Sequence, residues 1–178
     1  MDKKELFNAG RLQEALERIA GEILAGVSAD PDDFALVGLY RQGVPLAERL
    51  GAEIERRTGR SPLIGKLDIS MYRDDVGLRS GLPLIRETVI PFDMQDMKVI
   101  LVDDVLTTGR TIRAALDALT DYGRPALIRL AVLVDRGQPE FPIRADYTGF
   151  NVRIAPDHKV VVELAENDDC DAIWEKQS

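Results

Sequence analysis

A stretch of thirteen residues, Val99–Thr111, constrains the fold and function of this chain more than any other part of it. Its first four residues are aliphatic, which is typical of a strand buried on both faces of a parallel sheet. Two aspartates follow where that strand would end, and a threonine-rich segment then leads into apolar positions with helical spacing. The stretch therefore predicts a strand, an acid pair, a loop and the start of a helix.

The predicted loop lies at a helix N-terminus, where an anion is stabilised. Backbone N–H groups in the first helical turn lack partners within the helix, and the helix dipole adds positive charge. Gly109 permits close approach of the backbone, and the hydroxyls of Thr107, Thr108 and Thr111 can donate hydrogen bonds to phosphate oxygens. The two carboxylates can accept hydrogen bonds from adjacent ribose hydroxyls. The pattern predicts a sugar phosphate ligand, and the structural alternative is an acidic helix cap after a buried strand.

Composition and motif content argue against several other classes of protein. No lysine follows Gly109, as a P-loop requires, and the chain contains no Gly-x-Gly-x-x-Gly sequence. His158 is the only histidine, which leaves little material for a His-based metal cluster or a Ser-His-Asp triad. A net charge of −8 disfavours non-specific binding to nucleic acid.

The single cysteine and the lack of long apolar runs bear on the cellular compartment of this protein. Cys170 has no second cysteine with which to form an intrachain disulfide, which favours a reducing environment. No run approaches the roughly 18 apolar residues of a membrane span. We therefore expect a cytoplasmic protein without a membrane segment.

The chain alternates between helical and strand-like patterns, which predicts an α/β fold with a parallel sheet. Its 178 residues are most simply one domain. Helices are predicted over residues 5–25 and 44–58. A third begins with the apolar stripe from Ile112 and is completed by residues 114–122, with Gly123 as a left-handed cap. Strands are predicted over residues 34–39, 63–71, 99–102, 126–134, 144–149, 159–164 and 172–174.

Two further segments follow predicted strands and carry polar residues. Tyr40–Gly43 comes after one strand, and Asp135 and Arg136 come after another. Because the carboxyl ends of parallel strands lie at one edge of a sheet, both segments are expected beside the acid pair.

Residues 72–91 form a long segment without a clear element, and the acidic run 166–171 resembles a solvated turn. A mobile lid would bring Arg73 or Arg79 onto an anionic ligand. A polar β-hairpin arm used in subunit contacts explains the longer segment equally well.

Val99–Thr111 resembles the phosphoribosyl pyrophosphate signature of type I phosphoribosyltransferases. Further segments, in order and with similar spacing, resemble the PyrR group, which comprises pyrimidine-operon attenuators that also have uracil phosphoribosyltransferase activity. These segments are Leu67–Ile69, Tyr72–Asp75, Ala118–Leu119, Gly123–Pro125, Leu130–Gly137 and Pro142–Tyr147.

The resemblance implies a type I phosphoribosyltransferase fold: a central, mostly parallel sheet flanked by helices in one domain over residues 1–178. A small hood would be built from the N-terminal and C-terminal segments. The implied reaction converts uracil and phosphoribosyl pyrophosphate to UMP and pyrophosphate, with Mg2+ bound mainly through the substrate. A homodimer or a higher homo-oligomer is also implied.

The resemblance assigns roles to individual residues. Asp103 and Asp104 would hold the ribose hydroxyls, and Arg73 would lie on the flexible loop as the third catalytic residue. Asp135 and Arg136 would stand beside the base pocket. The pyrophosphate loop would be Tyr40, Arg41, Gln42 and Gly43. The 5′-phosphate loop would be Val105, Leu106, Thr107, Thr108, Gly109, Arg110 and Thr111.

This sequence departs from the family pattern in two places. The pyrophosphate loop, usually Thr-Arg-Gly, reads Arg41-Gln42-Gly43 here. Among the positions that the family uses for RNA, Arg18 and Arg144 remain, whereas others have lost their cations or gained an acid: Glu17, Gln138, Pro139 and Phe150. We therefore expect a uracil phosphoribosyltransferase with weakened RNA binding. Two alternatives stay open, namely a UMP-sensing RNA-binding attenuator and a catalytically silent nucleotide sensor.

Overall fold

The computed structural model describes residues 3–73 and 85–177, in eight strands and three α-helices. Arg79, one of the two lid arginines proposed above, lies outside these ranges. The helices are α1 (Ala9–Gly26), α2 (Gly43–Thr58) and α3 (Arg110–Leu119). The strands are β1 (Lys3–Asn8), β2 (Phe34–Leu39), β3 (Leu63–Leu67), β4 (Lys98–Leu106), β5 (Leu127–Asp135), β6 (Tyr147–Asn151), β7 (His158–Glu163) and β8 (Ala172–Gln177).

Five of the strands form a parallel sheet in the order β3-β2-β4-β5-β6. Helices α1 and α2 pack on one face, where Leu16 and Leu50 meet Val102 of β4. Helix α3 packs on the other face, where Ile112 meets Leu101. Both faces of the central strands are thus buried, as uninterrupted aliphatic strands require.

Strand β4 is longer than its aliphatic run predicts. It continues through both aspartates to Leu106, because β5 pairs with it along its whole length, with Asp103 opposite Val132 and Leu106 opposite Asp135. The acid pair therefore belongs to the strand and not to the loop after it.

The other strands form a three-stranded antiparallel sheet, β1-β8-β7, from both ends of the described chain. The predicted helix over residues 5–25 is wrong at its start, because residues 3–8 pair with β8. Helix α1 begins only after Asn8, whose side chain accepts a hydrogen bond from the backbone N–H of Arg11 at 3.1 Å. This small sheet is the part of the molecule that the family resemblance interprets as a hood.

Other predicted element ends are also wrong: the strand predicted over residues 144–149 is Tyr147–Asn151, and the one predicted over 172–174 extends to Gln177. Helix α3 ends at Leu119 with a right-handed cap at Thr120. Gly123 lies beyond it at φ 141°, where its backbone packs against Met94. Strand β3 ends at Leu67, and Val89 forms an antiparallel bridge with Lys66 at the outer edge of the sheet.

Among residues 3–73 and 85–177, no helix is both long and apolar enough to cross a membrane.

A buried carboxylate on α2 makes the stability of the fold depend on pH. Glu53 is 6% exposed and accepts hydrogen bonds from Arg56 and Arg57, and Arg57 also donates to the carbonyl of Glu17 on α1 at 2.7 Å. These hydrogen bonds, that from Arg56 above all, lower the pKa of Glu53 from 4.5 to about 2.

We predict that Glu53→Gln lowers the free energy of unfolding by about 2 kcal/mol at neutral pH. Because the folded-state pKa is depressed, the contribution is complete above pH 4.5 and is lost as the pH falls towards 2. Urea denaturation at a series of pH values measures the difference, with Glu55→Gln as the exposed control on the same helix. A difference from wild type that stays constant with pH would contradict this role of Glu53.

Candidate active site

The carboxyl ends of β2, β4 and β5 bring the predicted site segments to one edge of the parallel sheet. Gly43, which opens α2, lies against β4, and a Cβ atom there would stand 2.3 Å from the carbonyl oxygen of Val102. On the other side, the backbone N–H of Arg136 donates to the carbonyl of Leu106 at 2.9 Å. The segments after β2 and β5 therefore lie on either side of the acid pair, as the parallel pairing predicts.

The two carboxylates are held by the local backbone. Asp103 is 6% exposed, and its Oδ1 accepts a hydrogen bond from the N–H of Asp104 at 3.0 Å. Asp104 in turn accepts from the N–H of Val105 at 2.9 Å. These short-range hydrogen bonds orient both side chains at the end of the strand.

Burial changes the acidity of the pair. Burial raises the pKa of Asp103 well above its ordinary value, and the negative charge of Asp104 is the second largest cause of this rise. The positive charge of Arg73 lowers the pKa of Asp103 and so acts in the opposite direction. Burial also raises the pKa of Asp104. Hydroxyl donors or a cation bound here would relieve an electrostatic cost that the protein itself leaves in place.

The segment after the acid pair divides into packing residues and accessible residues. Leu106 is buried in the core below α3, and Val105 packs against the core on the opposite face, so neither offers a polar side chain. Thr107, Thr108 and Thr111 are partly exposed. This part of the predicted phosphate loop therefore presents hydroxyls and backbone groups.

Helix α3 begins directly after this loop. Gly109 is its N-cap, with φ 90°, and no side chain caps the helix there. Arg110 is exposed, and its guanidinium donates to the carboxylate of Glu140 at 2.7 Å. The arrangement is one that favours an anion, because the first N–H groups of a helix point toward the space before it.

The predicted pyrophosphate loop has a cis peptide bond between Tyr40 and Arg41. Gln42 is 8% exposed, and its amide bonds to Asp168, Asn167 and the carbonyl of Val162 at 2.6, 2.7 and 3.0 Å. Arg41 donates to the other carboxylate oxygen of Asp168 at 3.0 Å. The loop is thus attached to the segment between β7 and β8.

That attachment was missed by the sequence analysis, which interpreted residues 166–171 as a solvated turn. Arg49 of α2 binds Glu166 and Asp171, with four hydrogen bonds of 2.6 to 2.7 Å. These hydrogen bonds lower the pKa of both carboxyl groups. The acidic residues therefore anchor the small sheet to α2. Their spacing alone could not show this, because the partners are more than a hundred residues away in the chain.

Asp135 and Arg136 lie at the end of β5. Asp135 accepts a hydrogen bond from the N–H of Gly137 at 2.6 Å, and Arg136 donates to the carbonyl of His158 on β7 at 2.9 Å. Arg136 is 9% exposed, and its Nε is buried without a hydrogen-bond partner among the described residues. The end of β5 is therefore connected to the small sheet and retains one buried donor.

With this geometry in place, comparison with known proteins identifies the family. Residues 2–168 match the model of the phosphoribosyl transferase domain. The bifunctional protein PyrR of Roseiflexus sp. (strain RS-1) is 51% identical over 168 residues, which are 94% of this chain and 91% of the relative. The bifunctional protein PyrR of Thermus aquaticus is 49% identical over 177 residues, 98% of this chain and 97% of the relative. The chain belongs to the PyrR family of phosphoribosyltransferases.

Solved structures confirm the predicted fold class. A hypoxanthine-guanine phosphoribosyltransferase from Bacillus anthracis superposes with a TM-score of 0.72 at 18% identity, covering 97% of this chain and 98% of that structure. The hypoxanthine phosphoribosyltransferase of Trypanosoma cruzi gives 0.71 at 16% identity, with 98% and 96% coverage. At these identities the likeness concerns the fold alone, which is that of the type I phosphoribosyltransferases.

The two predicted RNA-binding arginines of this PyrR-family chain lie in different surroundings. Arg18 on α1 donates to the carbonyls of Thr148 and Gly149 on β6, at 3.1 and 2.6 Å. Arg144 is exposed and lines a cavity of about 400 Å³ together with Arg153. Both arginines are exposed, but Arg18 is held against β6 by its hydrogen bonds to two carbonyls.

We predict that Gly43→Ala destabilises the protein, because the new Cβ atom would overlap a backbone carbonyl that cannot move without displacing β4. The free energy of unfolding should fall by about 1–3 kcal/mol. The matched control is Gly10→Ala in the first turn of α1, where a Cβ atom meets only Asn8 Oδ1 at 3.5 Å. That control should be neutral or slightly stabilising. Equal midpoints of urea denaturation for the two variants would contradict the close packing of Gly43.

Proposed function

We propose that this protein transfers the phosphoribosyl group of phosphoribosyl pyrophosphate to uracil, forming UMP and pyrophosphate. The observation that carries the proposal is the acid pair, with Asp103 buried and Asp104 partly exposed, between two loops at one edge of the sheet. The protein belongs to a phosphoribosyltransferase family, and uracil as the acceptor follows from the PyrR likeness of nearly the whole chain.

In this proposal each part of the substrate has its own segment of the site. The ribose hydroxyls donate hydrogen bonds to Asp103 and Asp104, which are held by their own backbone. The 5′-phosphate binds the hydroxyls and backbone N–H groups of residues 107–111 at the start of α3. The pyrophosphate binds beside Tyr40–Gly43, and Arg73 contributes positive charge near the acid pair.

The reaction needs positioning and charge stabilisation more than a protein nucleophile. The bond from the ribose C1′ to a pyrophosphate oxygen breaks, the bond from C1′ to uracil N1 forms, and the N1 proton is released. Positive charge develops on the ribose and negative charge on the departing pyrophosphate. The carboxylates hold the ribose ring in place, and the cationic and N–H groups of the two loops stabilise the phosphates.

Mg2+ is the proposed cofactor, and the donor set fits a metal that is bound mainly by the substrate. Within the described part of the chain, no group of three or more His, Cys, Asp or Glu side chains could hold a metal ion. The buried Asp103 and the partly exposed Asp104 supply oxygen ligands of the kind that Mg2+ prefers. When bound, Mg2+ would share the negative charge of the pyrophosphate.

We predict that Asp104→Asn lowers kcat/KM for UMP formation by about tenfold or more, because an ionised acceptor for a ribose hydroxyl is lost. The control is Asp117→Asn, which removes the same charge from an exposed position on α3. The assay measures UMP formed from uracil and phosphoribosyl pyrophosphate with Mg2+. Absence of turnover by the folded wild-type protein would refute the proposed reaction, and an unchanged Asp104→Asn variant would refute the role of Asp104.

RNA binding is the second candidate function, since the PyrR relatives are named bifunctional and Arg144 is exposed. The remaining surface argues for weak binding. Arg18 bonds to β6, and Phe150, where family members carry a lysine, stacks on Phe7 with ring centroids 3.8 Å apart. The net charge of −8 adds long-range repulsion of phosphate groups.

We therefore predict that pyrimidine-operon leader RNA binds no more tightly than a scrambled RNA of equal length when UMP is present. A titration with labelled RNA at fixed salt concentration measures both affinities. A clear preference for the leader, lost in Arg144→Ala, would instead support a UMP-sensing attenuator.

The assembly of this protein into homodimers or larger oligomers stays a prediction.

A further inference from the structure

The segment between β7 and β8 supports the pyrophosphate loop through one carboxylate. Asp168 Oδ2 accepts a hydrogen bond from Gln42 Nε2 at 2.6 Å and a longer one from the N–H of Leu164 at 3.2 Å. Asp168 Oδ1 accepts from the guanidinium of Arg41 at 3.0 Å. Both loop residues that differ from the family pattern are therefore bound to the same side chain.

Other contacts hold Asp168 itself in position. The bidentate pairs of Arg49 with Glu166 and Asp171 attach the segment to the body of α2. Asn167 adds a hydrogen bond from its amide to Gln42 Oε1 at 2.7 Å, and its carbonyl accepts from Arg41 at 2.8 Å. Because α2 begins at the end of the loop, the segment contacts both the loop and the helix that follows it.

Asp168 also lies close to the proposed reaction site. It lines a cleft of about 340 Å³ together with Arg41, Gln42 and the catalytic candidate Asp104. Arg41 is exposed, so the charge of the Asp168 carboxylate is balanced by a cation at the rim of the cleft. The carboxylate thus holds the loop at the wall of the cleft, and its negative charge is paired with the guanidinium of Arg41.

We propose that Asp168 is a positioning residue that holds the Arg41-Gln42 loop in the conformation that binds the pyrophosphate group of phosphoribosyl pyrophosphate. The neutral Gln42 is fully satisfied in its buried position, because its amide bonds to Asp168, Asn167 and the carbonyl of Val162 together. This inference rests on the proposed function, since Asp168 would hold in place the loop that is proposed to bind pyrophosphate.

The test compares two ligands that differ at the relevant group. Phosphoribosyl pyrophosphate contains the pyrophosphate, whereas UMP shares only the ribose and the 5′-phosphate. Asp168→Asn places an amide N–H₂ group or a weaker acceptor opposite the donors of Gln42, Arg41 and Leu164. We expect the Kd of phosphoribosyl pyrophosphate with Mg2+ to rise about tenfold, and the Kd of UMP to change less than about twofold.

The control is Asp169→Asn, which removes one negative charge from the adjacent, exposed residue. Loss of a negative charge near an anion site would by itself strengthen binding, so the expected weakening by Asp168→Asn has the opposite sign. Calorimetric titration of both ligands into wild type and both variants measures the effect, and thermal unfolding shows that each variant is folded.

Three results would overturn the inference. These are equal affinities of the two variants for phosphoribosyl pyrophosphate, tighter binding by Asp168→Asn, and an equal loss of affinity for both ligands. The last would show a general structural role. Wild-type protein that binds phosphoribosyl pyrophosphate but forms no UMP would refute the proposed reaction alone, because the comparison of affinities would still test Asp168.

Discussion

The parallel pairing of β4 with β2 on one side and β5 on the other is the constraint on which the site depends. It brings three carboxyl-terminal strand ends to one edge, and it extends β4 far enough to bury Asp103 among aliphatic neighbours. Burial raises the pKa of both aspartates, so the site contains an electrostatic cost that a bound cation or ribose hydroxyls can offset. The fold therefore produces the electrostatic cost that the proposed ligand would offset.

Close backbone packing is the second requirement of this edge. Gly43 allows the start of α2 to approach the carbonyl of Val102, and Gly38 of β2 allows the carbonyl of Gly43 to lie where a Cβ atom would be only 2.5 Å away. The two glycines set the position of the predicted pyrophosphate loop relative to the acid pair. A side chain at either place would move the loop away from β4 and open the proposed site.

The small sheet contributes to the site from the opposite side. Arg136 donates to the carbonyl of His158 on β7, and Asp168 accepts from Gln42 and Arg41. Both the end of β5 and the loop after β2 are therefore bonded to the C-terminal segment of the chain. This explains how the sequence departs from the family pattern without losing order. Arg41, one position earlier than the family arginine, is paired with Asp168. Gln42, which stands at the family arginine position, makes three hydrogen bonds through its buried amide.

Local patterns were sufficient for the centre of the molecule. The aliphatic run of β4, the acid pair, the threonine-rich loop and the start of α3 could be predicted in order, because period and turn chemistry are properties of neighbouring residues. Pairing between distant segments could not be predicted in this way. Residues 5–8 precede the apolar stripe of α1 and join a strand instead of the helix, and Asp168 lies 126 residues from Gln42. Local sequence thus predicted a sugar phosphate ligand, whereas tertiary packing decided how the predicted pyrophosphate loop is held, since that depends on contacts that sequence spacing does not contain.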